Sequence, residues 1–514
     1  MRMNVRQPLS GLFGARRLCL SVALAALLPF AAMTAPAEAE EIRVVMTSEP
    51  QDLDPGNIEF RFTGQVARHS VIEGLVLHDL RTQEILPRLA TEWERTGDLT
   101  WRFKLREGVI FHDGAPFNAD AVISSYERLM VPEIEQVNRS RFFEGLELTI
   151  TKVDDLTVDV ELAQPEPLFL QKFANLPIVS PNMSRTELSR APIGTGPFRF
   201  VEWDAGVQIV LERFEDYWGE LPETTRAVFM WREEPSVRAS MVEVGEADLT
   251  FSIDEQAATN PATDQPYVSF EVLYYIIGAW EPPLDDVRVR KAVNLSIDRE
   301  ALIGTVLPAQ SVPAVALYGP FTAGHNPELK PHPYDPERAR QLLEEARADG
   351  VPVDTQIQVL GINGHFPRSD EVLEAVTAML NASGFNAVSR TMEAGLFRQY
   401  RDKPRVEDGP VLLQANHDNA TGDAGTSLAR HRCETVRNPI CDPRIDELLD
   451  AGLAAEGEER ARIWQELARY MHEEVHVDGL IAHRVAFGRV SERVNYDLEG
   501  LPESHFFLED VTYN

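Results

Sequence analysis

The sequence predicts an α/β protein of two or three domains, and three observations carry that reading. "TQIQVLG" (355–361), a helical pattern at 370–383 and "FNAVSRTM" (385–392) make a strand-helix-strand unit, which needs a crossover and therefore a parallel strand pair. Hydrophobic patterns of period two and period 3.6 alternate along the chain. A length of 514 residues exceeds what one ordinary hydrophobic core encloses.

Residues 1–39 read as a secretory signal peptide. Arg2, Arg6, Arg16 and Arg17 give a basic start, and the apolar run from Leu18 to Met33 is too short and too early for a lasting membrane span. Ala37-Glu38-Ala39 suits a peptidase that reads small side chains, so cleavage is expected after Ala39. Cys19 stands before the apolar run, where no lipid-attachment cysteine would be, and Arg16-Arg17 leaves both the general and the twin-arginine route open. The formal net charge is −33, and removal of four arginines and Glu38 makes it more negative. Such a charge repels nucleic acid and anionic lipid, so neither is an expected partner.

The first strand of the mature chain to stand out carries Leu99, Trp101, Phe103 and Leu105 on one face. Others run through Val158, Val160 and Leu162, and through Val207, Ile209 and Leu211. Helices are expected at 119–130, 284–305, 336–349, 370–383, 444–456 and 458–474. Asp335 is a ready N-cap before Pro336, with Gly350 just past that helix and Gly384 closing the next.

"FHDGAPFNADAV" (111–122) resembles a fragment of an active site, with a His-Asp pair on a turn. His112 and Asp113 are neighbours at a strand end, so their side chains point apart and cannot relay a proton to each other. Asp113-Gly114 makes the turn and Asn118 caps the next helix, which accounts for the motif without catalysis. Cys433 and Cys441, in "CETVRNPIC", are expected to be bridged after export, closing a loop worth roughly 2.5 kcal/mol. His472-Glu473-Glu474-Val475-His476 satisfies H-E-x-x-H, which on a helix would offer two imidazoles to zinc with the glutamate as base of a hydrolase. No phosphate-cradling or dinucleotide motif is present, and no cofactor is expected.

"LATEWERTGDLTWRFKLREGVIFHDGAPFNADAVISSYERL" closely resembles the signature of the extracellular solute-binding proteins of family 5, the peptide, nickel and related receptors of ABC importers. The resemblance continues in order through "DLDP" (52–55), "VIEGLV" (71–76), "PIGTGPFRFVEWDAGVQIVLERFEDYWG" (192–219), "PPLDDVRVRKAVNLSIDRE" (282–300) and "YDPERARQLLEEA" (334–346). It implies the two-lobe α/β fold of periplasmic binding proteins with an extra domain (cluster C type) and a ligand cleft between the lobes. On that pattern residues 40–78, 189–275 and 487–514 form the first lobe, 79–188 the extra domain and 276–486 the second lobe. It also implies a monomer in the periplasm that closes on its solute and docks on an inner-membrane permease.

The resemblance further implies where ligand is touched. Glu59 and Phe60 fall where peptide-binding relatives contact ligand, although Phe60 and Phe62 suit a core equally well. Tyr274 and Tyr275 stand where the chain enters the second lobe. His365 and Arg368, in "GHFPRSDEV", resemble cleft positions; Arg368 suits either a ligand carboxylate or an external ion pair. In dipeptide receptors a tryptophan, an aspartate and Gly-Asp-Pro carry the amino-terminal anchor. Aligned on Gly422-Asp423, this chain has His417 at the tryptophan and Ala420 at the aspartate, leaving Asp418 as the nearest spare carboxylate and Asp423 as a turn residue. A short peptide or a peptide-like compound such as glutathione is the leading ligand, with opines, oligosaccharides and a nickel chelate open.

Overall fold

Eleven strands form one mixed sheet, and two of them are long enough to belong to both halves of the molecule. In the computed structural model the described residues are 40–514, apart from Phe60, Pro367, Glu407, Ala420, Thr421 and 500–504, so the signal segment lies outside the described residues. The sheet order is Ala387–Met392, Ile357–Ile362, Val411–Asp418, Asp264–Ile277, Asp478–Val490, Leu249–Ile253, Glu41–Met46, Arg226–Trp231, Gln208–Arg213 and Phe198–Asp204, with Val312–Pro313 paired to Asp478–Val490. "TQIQVLG" and "FNAVSRTM" do pair in parallel, from Ile357↔Ala387 to Ile362↔Met392.

The long strands Asp264–Ile277 and Asp478–Val490 run antiparallel, and their register breaks between Val268 and Val272. Packing changes at the same place. Tyr267, Ala486 and Val490 join a core with Ile42, Phe198, Phe229 and Phe506, whereas Leu273, Tyr275, Ile481 and Ala482 join one with Val289, Leu342, Val359 and Leu373. A third core, built on Phe103, Phe111, Phe143, Phe169 and Phe173, lies under a separate four-stranded antiparallel sheet. Its strands are Ala90–Arg95, Thr100–Leu105, Thr157–Leu162 and Leu148–Asp154.

Local chemistry sets the helix ends. Asn118 accepts from the Ala121 amide at 3.1 Å, and Asp335 accepts from the Arg338 amide at 2.9 Å. The continuous helix expected over 284–305 is instead two, Val287–Ser296 and Arg299–Leu302. Asp286 accepts from the Arg288 amide and fixes the first start; Ile297 is extended, and Asp298 then caps a new turn. The helix Gly457–Tyr470 passes into a wider turn, Met471–Val475, and His476 follows in the left-handed region with φ 52°. That break removes the H-E-x-x-H register. His472 Nε2 lies 2.9 Å from the Lys330 carbonyl, and its ring stacks on His332 at 3.8 Å. Among the described residues no group of three such side chains has the geometry to hold a metal ion.

The His-Asp pair of "FHDG" also has structural occupations. His112 Nε2 lies 2.9 Å from the Gly196 carbonyl, while Asp113 accepts from Ser180 Oγ at 2.7 Å and Asn182 Nδ2 at 2.9 Å. The two side chains point to different partners and tie three segments together. Cys433 and Cys441 form a disulfide with Cα atoms 4.5 Å apart. Among the described residues no helix is long and apolar enough to cross a membrane.

Candidate functional site

The candidate site lies beside the strand crossing, and strand alternation decides which side chains reach it. Tyr274 and Tyr275 are both buried, on opposite faces of the sheet. Tyr275 packs among the helices of the second core, its hydroxyl accepting from Gln414 Nε2 at 3.3 Å. Tyr274 packs with Val272, Leu317, Leu360 and Ala415 on the other face. The Arg430 guanidinium lies 5.4 Å from the centroid of its ring. Burial pushes the Tyr274 hydroxyl up to about 12, with Arg430 acting against the shift.

His417 stands opposite Val272 in the register, on the Tyr274 face. Its Nε2 is 2.8 Å from Ser427 Oγ on the short helix Ala424–Leu428. Burial lowers its pKa well below the usual value, and the positive charges of Arg430, His431, Arg141 and Arg437 add to the shift. His431 is itself buried, with Nε2 3.1 Å from Asp478. Asp423 caps the short helix through the Gly425 amide at 2.8 Å and takes both arms of the buried Arg460 at 2.9 and 3.0 Å. It is a scaffold residue of this loop.

Glu59 approaches from the other side, through the turn Arg139–Phe143. Its carboxylate pairs with Arg68 and lies 3.3 Å from Arg141. Arg68 also donates to the Ile58 carbonyl and to Asn175 Oδ1. Behind them His69 stacks on Phe507 at 4.0 Å and contacts His505 at 3.2 Å. Phe60 lies outside the described residues, as do Ala420 and the side chain of Asp418, whose backbone pairs with Glu271.

His365 and Arg368 sit elsewhere. His365 bonds Asn416, on the face opposite His417; burial lowers its pKa, and Asn416 and Glu271 oppose the shift. Arg368, at φ 60°, directs its fork at Glu371, 3.0 and 2.6 Å away, and donates to the Thr305 carbonyl. The external ion pair is thus the contact this guanidinium makes here. The structure brings Tyr274, His417 and, through Arg141, Glu59 into one neighbourhood, and keeps Tyr275, His365 and Arg368 out of it.

Sequence reasoning did not find Arg141, Arg430 and Arg437. The only signal was the density of basic residues in "NRSRF" (138–142) and "ARHRCETVR" (429–437) within so acidic a chain. The loop and helices beyond His417 also touch segment 79–188. Arg95 pairs with Glu456 at 3.0 Å, and Gln83 covers Gly422, where an added Cβ would lie 2.5 Å from Gln83 Oε1.

The same architecture recurs in known proteins. HbpA2 from Haemophilus parasuis superposes with a TM-score of 0.82 over 92% of this chain and all of its own, at 21% identity. Di/tripeptide-binding protein 2 of Pseudomonas aeruginosa is 27% identical over 87% of this chain and 91% of its own. The glutathione-binding protein GsiB of Pectobacterium atrosepticum is 29% identical over 76% of this chain and 77% of its own. The model for the middle region of the bacterial extracellular solute-binding proteins, family 5, matches residues 84–432, more than half of the chain. This two-lobed chain, with its shared long strands and charged seam, therefore belongs to the bacterial extracellular solute-binding proteins of family 5.

Proposed function

We propose that this chain is the periplasmic receptor of an ABC importer, capturing a short peptide or peptide-like solute and handing it unchanged to an inner-membrane permease. The observation that carries this reading is the pair of strands, Asp264–Ile277 and Asp478–Val490, that pass from one core into the other with a register break between them. Two cores joined by such strands can rotate about the break, and a solute that bonds both sides stabilises the closed arrangement.

The first lobe comprises 40–78, 189–275 and 487–514, the extra domain 79–188 and the second lobe 276–486. Core membership supports this division, with the changeover on the first crossing strand drawn nearer Val268–Val272 than 275. A peptide-type solute is favoured by the di/tripeptide and glutathione relatives. Glu59, Tyr274, His417 and Asp418 are the residues assigned to solute contact.

Mass spectrometry of solute released by denaturing the purified mature protein tests the reading. A peptide or peptide-like compound, recovered intact after prolonged incubation with the protein, is expected. Steady conversion of that compound into a product would refute a receptor role.

A further inference from the structure

Most arginines of this acidic chain have a carboxylate, and Arg430 is an instructive exception. No described carboxylate lies within ion-pair distance of it, and its Nη1 is buried without a hydrogen-bond partner. That buried N–H is an uncompensated donor on a half-buried guanidinium, and an anion would complete it. The Tyr274 ring beneath it gives partial compensation only, because a cation–π contact satisfies none of the N–H donors.

Its neighbours deepen the deficit. Arg437 and Arg401 share one carboxylate, Asp402, at 3.6 and 2.7 Å. Burial lowers the Arg437 pKa, and repulsion from Arg401 and Arg430 adds to the shift. The backbone that holds these charges together is braced. The Cys433–Cys441 loop contains Arg437, and Lys403 donates to its Cys433 carbonyl at 3.2 Å. Arg141, whose charge also reaches His417, is already engaged by Glu59. A chain of net charge −33 thus gathers Arg401, Arg430 and Arg437 around Tyr274.

We infer that Arg430 is the anion anchor of this site, so that the captured solute carries a carboxylate which bonds the guanidinium in the Tyr274–His417 corner. The inference rests on the receptor reading above and narrows its substrate class to carboxylate-bearing compounds. A planar guanidinium fork can offer two parallel N–H···O bonds to a carboxylate, so replacement by lysine keeps the charge and loses the bidentate geometry.

The test uses mature protein freed of endogenous solute and titrated calorimetrically. The probes are trialanine as free acid and as C-terminal amide, then glutathione, citrate and succinate, with maltose as a neutral solute. Free-acid trialanine is expected to bind at least about tenfold more tightly than its amide, and Arg430→Gln to lose about tenfold or more, with Arg430→Lys intermediate. Arg338→Gln, on an exposed helix, should bind as the native protein does, and thermal melting of each variant establishes that it is folded. Equal binding of acid and amide, or undiminished affinity in folded Arg430→Gln, overturns the inference and leaves the receptor reading intact. Binding of citrate or succinate through Arg430 without any peptide upholds the inference and removes the peptide class. Binding of maltose alone, or of no anionic probe at all, overturns it.

Discussion

Glu73 is buried with no cation in contact among the described residues, and that makes it the clearest single-residue test of the energetics. Its carboxyl accepts from Thr195 Oγ1 and Trp218 Nε1, both at 2.9 Å, and from the Tyr217 hydroxyl at 3.1 Å. Burial raises its pKa from 4.5 to about 7, against the opposing Trp218 bond and Arg88 charge. The folded protein therefore holds a proton that the unfolded chain has already released between these pH values. The stabilisation is present in full below pH 4.5 and is lost as pH rises through about 7. Urea unfolding of Glu73→Gln and the native protein at pH 5 and pH 8 should show the variant gaining relative to native by about 2–4 kcal/mol at the higher pH. A difference that does not change with pH contradicts this. Asp423 should behave oppositely: Asp423→Ala leaves Arg460 buried without its carboxylate and is expected to cost about 3–5 kcal/mol in the same assay. A loss under 1 kcal/mol would mean that water reaches Arg460.

At the scale of elements, the loop 422–441 links order to binding. Cys433 and Cys441 close a short ring that carries Arg437 and follows Arg430 directly. The double variant Cys433→Ser, Cys441→Ser is expected to lose about 2–4 kcal/mol of stability, read by thermal and urea unfolding. Native-like stability in it would place the ordering of this loop in its hydrogen bonds, such as Cys433 N to Asp446 and Asn438 Nδ2 to the His431 carbonyl. Gly422 is constrained twice, by φ +67° and by Gln83 above it. Gly422→Ala should loosen the contact between the hairpin 76–87 and this loop, seen as faster amide exchange at residues 423–428.

How far such elements are legible depends on the range of the forces that set them. Asp335, Asn118 and the pair 355–361 with 385–392 were legible because caps and strand alternation act within a few residues. The break at Ile297 was missed, although Asp286 and Asp298 both signal a cap, because apolar periodicity runs across it. His476 ends its helix in a left-handed turn that no local pattern demands. Of the site, Tyr274 and His417 were reached only through resemblance to relatives. Arg430 was marked only by the basic density around it, because lacking a partner is a property of the surroundings and not of the residue.

For the whole molecule, the proposed closure would act on the two cores and the strands between them. The chain crosses between them on Asp264–Ile277 and Asp478–Val490, and the register shifts between Val268 and Val272 and between Leu273 and Tyr274 are places where bending disturbs fewer ladder bonds. Arg95–Glu456 and Gln83 over Gly422 add contacts between segments far apart in sequence. Small-angle X-ray scattering of the mature protein, stripped of solute and then saturated with the solute recovered from it, tests the central claim most directly. The account predicts a smaller radius of gyration with solute than without, and a return to the larger value when the solute is removed. An unchanged radius at saturation would contradict it.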